Sequence, residues 1–384
     1  MIGGFLHSKY QYITEFFERF TTSKNWKLKV TLLGLCLSLF FAFPSYNGYV
    51  KGAFDEKWNA VSQQIKAPFT PVAYPDDSHY SKLAFRLTVP IIAHILHFQR
   101  IGCFLIQYIC WIVMFYAILS LTYSIVKDKI TSSFIILALS FMFVGNVMVS
   151  DIRAIFDGVA FCFLMLTMLS WNWVFIIICA LLAYYTDERA LIASTFLFVW
   201  FQVRQSDFKA FALRNILIPS KSSIALVASW GIYFGIRYYL SLFLGLKTGT
   251  GGANYFTHQF NNMLFGAWSG LEGFWIIVLL GFIVLFIRKM FSLAIIITLC
   301  MAISLYVAFS VIDITRSVAY IFPVVFICLY IIKAHENVTS LRKYAFITFL
   351  VCCFFPTYYT DGVGTLWFFF PLPWRLMGLF THLR

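Results

Sequence analysis

Asp76-Asp77-Ser78-His79-Tyr80 is the stretch of this chain best suited to proton chemistry, two adjacent carboxylates with an imidazole close behind. A carboxylate beside cations can act as a general base, taking the proton from a hydroxyl as its oxygen attacks an activated carbon. A neighbouring imidazole can relay that proton. Asp76, Asp77 and His79 are therefore the catalytic candidates. The same residues also suit an Asx turn leading into a helix that starts near Ser81, and an isolated loop histidine needs no catalytic role.

A second group recurs as acid–base pairs: Asp151-Ile152-Arg153, Asp187-Glu188-Arg189 and Asp313-Ile314-Thr315-Arg316. Guanidinium binds phosphate oxygens in bidentate fashion. Arg86, Arg153, Arg189, Arg237 and Arg316 are accordingly candidates for holding a phosphate, with Asp151, Glu188, His258 and Asp313 in support. Salt bridges between helices and helix capping explain the pairs equally well, and Asp151 fits a cap on a helix starting at Arg153. Arg237, deep in an apolar run, either snorkels outward or meets a lipid phosphate. Asp157 and Glu272 read as structural. No metal site and no cofactor are implied. The nine cysteines lie in apolar segments without ligand spacing to histidines and read as small apolar residues.

The elements that must position these groups follow from composition. The 384 residues are 61% hydrophobic and 12% charged, with mean hydropathy +0.82. A soluble domain carries roughly twice that charged fraction. Apolar runs fall at Val30–Pro44, Ile101–Val126, Ile130–Val149, Ala154–Ser170, Val174–Tyr185, Ala190–Val203, Ser222–Leu244, Gly273–Ile287, Phe291–Val311, Ser317–Ile332 and Ala345–Tyr359. They predict an all-α, polytopic transmembrane helical bundle of about 11 spans, in a range of about 10 to 13. With a cytoplasmic N-terminus, inside segments hold sixteen of the 29 basic residues and five of the 16 acids. That distribution obeys the positive-inside rule, so the net charge of +13 reads as topology and not as nucleic-acid binding. The polar, basic stretch before the first apolar run is not a cleavable signal-peptide pattern.

The chain reads as a single integral membrane domain over 1–384. Residues 1–29 form a cytoplasmic amphipathic segment, with Ile13, Phe16, Phe17 and Phe20 at helical spacing. Such a helix lies on the membrane surface or packs on the bundle. Residues 45–100 form a long extracytoplasmic loop with juxtamembrane helices. Phe54, Trp58, Val61 and Ile65 mark the first, Pro68, Pro71 and Pro75 break it, and Ala84–Phe98 reads as a second, interfacial one. Residues 245–265 are a flexible outer loop, and 360–384 an interfacial or re-entrant tail.

This layout resembles the GT-C superfamily of polytopic membrane glycosyltransferases. The likeness rests on the first span, the long loop with its amphipathic helices, and the acidic pair followed by Phe85-Arg86-Leu87 and Pro90. It extends to Asp187-Glu188-Arg189-Ala190-Leu191 opening a helix, and to Asp313, Arg316 and Pro323. The resemblance implies a polyprenyl-phosphate-linked sugar donor, a glycan or lipid-linked acceptor as in O-antigen modification of lipopolysaccharide, and a base at Asp76 or Asp77. It also implies a place in a bacterial inner membrane. The chain departs from the pattern in having no soluble C-terminal domain and no Asp-x-Asp. The alternatives are a lipid-linked glycan polymerase and a glycolipid flippase or other transporter. A polymerase places its large Arg-bearing loops in the later half, and a carrier shows paired repeats with ionisable residues near the midplane.

Overall fold

The computed structural model describes residues 2–44, 46–71, 83–205, 218–248, 256–355, 357–361, 364–367, 372–373 and 377. Asp76, Asp77 and His79 lie outside them. The first eleven helices are α1 (Ile2–Phe20), α2 (Trp26–Phe41), α3 (Tyr46–Val50), α4 (Asp55–Lys66), α5 (Thr88–Ile95), α6 (Arg100–Val126), α7 (Lys129–Leu139), α8 (Phe143–Ser150), α9 (Asp157–Leu169), α10 (Trp173–Tyr184) and α11 (Arg189–Gln205). Further helices span Lys221–Leu244, Met263–Leu271, Phe274–Ile287, Phe291–Ser310, Ile314–Val318, Pro323–His335 and Val338–Phe354. A short antiparallel pair, β1 (Tyr358–Thr360) and β2 (Thr365–Trp367), follows.

Side chains next to the helix starts supply several of the boundaries. Asp128 accepts from the Thr131 amide at 2.9 Å to open α7, Asn172 caps α10, and Ser220 and Asn337 do the same for the helices starting at Lys221 and Val338. In α4, Asp55 and Glu56 occupy the first turn and Lys66 the last, which complements the helix dipole. Its apolar face, Trp58, Val61 and Ile65, is amphipathically spaced as expected but is buried within the protein, against α5, α6 and the 151–156 turn. The second expected loop helix is shorter than its apolar stretch, because Arg86 and Leu87 precede α5 and His97 ends it.

Among the described residues, three helical segments are long and apolar enough to cross a membrane: α6, Phe291–Ser310 and Ile314–His335. Counting each of two bent pairs as one span makes five. That is fewer than the apolar runs alone imply. Helices such as α9 and α10 have 13 and 12 residues, against the roughly twenty that a spanning helix needs. The run Ile130–Val149 is not one helix: α7 and α8 meet at 53°. Gly145 makes that break possible, since a Cβ there would lie 1.9 Å from the Leu139 carbonyl oxygen. Phe260–Leu271 and Phe274–Ile287 meet at 90°, so the stretch before the run at Gly273 is helical where a loop was expected.

The larger of two buried clusters packs α7 against Val338–Phe354, α6 against α9 and Phe274–Ile287 against Pro323–His335, and a smaller one joins α4 and α5 to the start of α6 and the 152–159 stretch. The N-terminal helix packs on the assembly through Phe17, buried and edge-on to Phe134, while Phe16 remains exposed. At that end Arg342 holds Asp128 at 2.8 Å and Glu18 at 3.3 Å. The run Ala345–Tyr359 is corrected too. The helix stops at Phe354, and Tyr358–Thr360 becomes a strand lying against Ile314–Val318. Aromatic and β-branched residues dominate there, a composition that suits a strand.

Candidate functional site

Six charged side chains from four separate stretches meet at the end of the assembly opposite Asp128. Arg86 precedes α5, Asp157 opens α9, Asp187 and Arg189 stand at the start of α11, and Asp313 and Arg316 flank a one-turn helix. Arg316 reaches three carboxylates: Asp157 through Nε and, at 3.0 Å, Nη2; Asp313 at 3.0 Å; and Asp187 at 3.2 Å. Arg189 binds Asp187 at 2.7 Å and Asp157 at 3.3 Å, and Arg86 closes on Asp187 at 3.0 Å. The hydroxyls of Tyr320 and Tyr359 donate to Asp157 at 3.0 Å and Asp313 at 2.9 Å, and Arg189 donates to Ser317 at 2.8 Å. Three guanidiniums thus face three carboxylates, and the cluster is formally neutral.

Local backbone explains how Asp157 enters it. Asp151 accepts from the amides of Arg153 at 2.8 Å, Ile155 at 3.0 Å and Phe156 at 2.8 Å. Ala154 and Phe156 both take positive φ, 57° and 63°, so the chain turns sharply before α9 begins. The Asp151 cap therefore folds a loop, and no helix starts at Arg153. Asp157, read as structural from sequence, is the centre of the cluster.

Burial by itself raises a carboxyl's pKa, yet at Asp187 and Asp313 the surroundings outweigh it. For Asp187, burial is opposed by Arg189 and Arg86, which hold the group well below the usual carboxylate range. For Asp313, burial is opposed by Arg316, Arg189 and the Tyr359 hydroxyl, and the group sits at about 2. Both are anions at any physiological pH. The side chains of Asp157 and Asp187 are 0% and 1% exposed, that of Asp313 22%, so Asp313 is the one carboxylate of the three open to solvent.

Beside the cluster, Arg237 holds Glu188 at 2.7 Å and the Tyr233 hydroxyl at 2.7 Å, with its guanidinium 4.2 Å from the centre of the Phe85 ring. On the other side α4 is fastened to the 151–156 turn by the Trp58 indole, which donates to the Ile152 carbonyl at 2.9 Å. Lys57, next to Trp58 in α4, feels the charges of Arg316, Asp151, Arg153 and Asp313. Burial first, then Arg316, lowers the Lys57 ammonium pKa. Arg153 is exposed and lies over the Phe54 ring at 5.3 Å. Among the described residues neither Lys57 nor Arg153 has a carboxylate within ion-pair distance.

The structure thus gathers Arg86, Arg189, Arg316 and Asp313 in one cluster, sets Glu188 and Arg237 beside it, and places Asp151 and Arg153 on its rim. His258 stands apart, exposed in the turn 256–259. Lys57, Tyr320 and Tyr359 were not singled out from sequence. Lys57 lay on the polar face of a recognised amphipathic helix, whereas Tyr320 and Tyr359 sat in apolar runs with no signal. Among the described residues no group of three His, Cys, Asp or Glu side chains is arranged to hold a metal ion. No protein-family model, curated protein or solved structure matches this chain.

Proposed function

We propose that the chain is a polytopic membrane glycosyltransferase of the GT-C kind, with about eleven membrane-crossing segments, acting at the outer face of a bacterial inner membrane. Its donor is a polyprenyl-phosphate-linked sugar and its acceptor a cell-surface glycan or a lipid-linked saccharide. The observation that carries this reading is the pair Lys57 and Arg153, two cations on the rim of the cluster with no carboxylate within ion-pair distance among the described residues. An anionic phosphate is the natural complement of such a pair.

The reading divides the charged residues by task. Arg86, Arg189 and Arg316 are spent on carboxylates and hold four chain segments in register; Lys57 and Arg153 take the donor phosphate. The acceptor hydroxyl attacks the anomeric carbon of the sugar and passes its proton to the Asp76 or Asp77 carboxylate. The bond from that carbon to the phosphate oxygen breaks, and the leaving phosphate keeps the electron pair while its growing charge is stabilised by Lys57 and Arg153. Arg86 is anchored in the cluster, and Gln64 of α4 donates to the Leu83 carbonyl at 2.7 Å.

Mass spectrometry of surface glycans tests the proposal in cells with the chain, without it, and with variants. Loss of one sugar on deletion is expected, with the same loss in Lys57→Gln/Arg153→Gln and in Asp76→Asn/Asp77→Asn. Unchanged glycans on deletion would refute the transferase reading. Chains of altered length without loss of a sugar would favour a polymerase.

A further inference from the structure

A cleft opens on the other side of α4, away from the ion cluster. It has a volume of about 900 Å³ and lies between α4 and the α5–α6 connection. Lys66, His94, His97 and Arg100 line it. The only carboxylate bonded there among the described residues is Asp55, and Arg100 already holds it at 3.3 Å while also donating to Ser62 at 2.9 Å and to Asn59. Lys66 and His97 have no side-chain polar partner among the described residues, so the Lys66 charge is uncompensated there.

Two features define what fits there. First, His97 sits at φ 54° in the position that closes α5: its amide donates to His94 at 3.1 Å and the next amide, of Phe98, to Ala93 at 2.8 Å. Glycine is the usual occupant of that left-handed position, so a histidine there is held against a conformational preference. His94 is oriented as well. Its Nδ1 lies 2.7 Å from the Ile65 carbonyl, which can only accept, so Nδ1 carries the proton and Nε2 is left free. Second, an exposed apolar stripe starts at the cleft mouth and runs down α6 at helical spacing: Ile101, Leu105, Ile109 and Ile112, with Ile101 77% exposed. Eleven residue rises from Ile101 to Ile112 carry the stripe about 17 Å along the axis, and Ile95 and Leu96 flank its top.

We propose that this cleft binds the phosphate headgroup of an anionic bilayer lipid, with Lys66 and His97 facing the phosphate and the acyl chains lying along the α6 stripe. A free phosphate would use only the polar half of the site and a neutral lipid only the apolar half. The site is separate from the Lys57–Arg153 rim and does not depend on sugar transfer.

Native mass spectrometry of the full chain, released from phosphatidylcholine nanodiscs doped with phosphatidylglycerol, tests the assignment. Phosphatidylglycerol should be retained about tenfold over phosphatidylcholine, and Lys66→Gln/His97→Gly should abolish that preference. Lys51→Gln, an exposed lysine outside the cleft, should leave it intact. The single variant His97→Gly distinguishes ligand loss from misfolding, because it should raise thermal stability while lowering lipid retention. Equal retention of the two lipids, or an unchanged preference in the double variant, overturns the proposal. Displacement of phosphatidylglycerol by inorganic phosphate alone overturns the lipid part of it. Displacement by undecaprenyl phosphate at equimolar level would move the site to the sugar donor and overturn the assignment to a bilayer lipid.

Discussion

Asp157→Asn is the sharpest perturbation of the ion cluster. The substitution keeps the shape of the side chain and removes one negative charge from a position that is fully buried. Arg86, Arg189 and Arg316 would then face only Asp187 and Asp313, leaving one unit of positive charge uncompensated. Breaking a buried pair by removing one partner costs about 3 to 5 kcal/mol. Arg316→Met makes the opposite error, depriving Asp157 of two donors and leaving one carboxylate in excess, at a similar cost. The double variant restores neutrality, with Arg86 and Arg189 against Asp187 and Asp313. It should therefore be less destabilised than the sum of the singles by on the order of 3 kcal/mol. Equilibrium unfolding in mixed detergent micelles, followed by tryptophan fluorescence, measures all four corners of the cycle. Additivity within about 0.5 kcal/mol would refute the idea that these residues act as one charge-balanced unit.

Other expectations follow from single contacts. Asp313 is depressed from 3.8 to about 2 in the folded chain, so its contribution is complete above 3.8 and is lost as pH falls through about 2. Acid titration of unfolding should show a slope in that window that Asp313→Asn removes, worth about 2 kcal/mol in total; an unchanged slope would count against the pairing. Trp58→Phe should cost about 1 kcal/mol, the value of one hydrogen bond, and should reduce sugar transfer more than stability, because it loosens α4 and Lys57 from the 151–156 turn. Asp128→Asn should destabilise the opposite end by about 1 to 3 kcal/mol with transfer retained, read by unfolding and glycan analysis side by side. Gly145→Ala should prevent accumulation of folded chain, as judged by size-exclusion chromatography, since the clash is with backbone.

The helical class, the amphipathic α4 and the helical segments under the apolar runs were legible because each depends on local periodicity. What sequence could not supply was the pairing of the three Asp/Arg motifs. Asp187 is two residues from Arg189, yet it is also bound by Arg86 and Arg316, far away along the chain. No local pattern encodes such partners. The arginines therefore looked free to hold phosphate when read one at a time, and in the fold Arg86, Arg189 and Arg316 meet carboxylates. The kink at Gly145 escaped for a related reason: the glycine stands in an unbroken apolar run, and only the approach of the Leu139 carbonyl shows its purpose. The strand at Tyr358–Thr360 was hidden by hydrophobicity, which serves a buried strand as well as a helix.

A neutral cluster of buried ion pairs is a poor way to gain stability, since well-packed apolar residues often do as well or better. Its value lies in what it positions. Arg316 alone ties together the starts of α9 and α11 and the turn at Asp313, while Tyr359 ties in the C-terminal strand and Arg86 the end of the long loop. Each tie has fixed geometry, because a guanidinium meets a carboxylate in a planar fork. Apolar packing would hold the same segments together but would let them slide. With three guanidiniums engaged by three carboxylates, Lys57 and Arg153 stand on the rim with no ion-pair partner among the described residues. An arriving anion therefore meets two cations in fixed surroundings, and the free energy of binding it is not spent on rearranging the site. On this argument the Asp157→Asn/Arg316→Met double variant, although charge-balanced, should bind a phosphate-bearing donor more weakly than the unaltered chain. Full donor affinity in that variant would mean that the cluster serves stability alone.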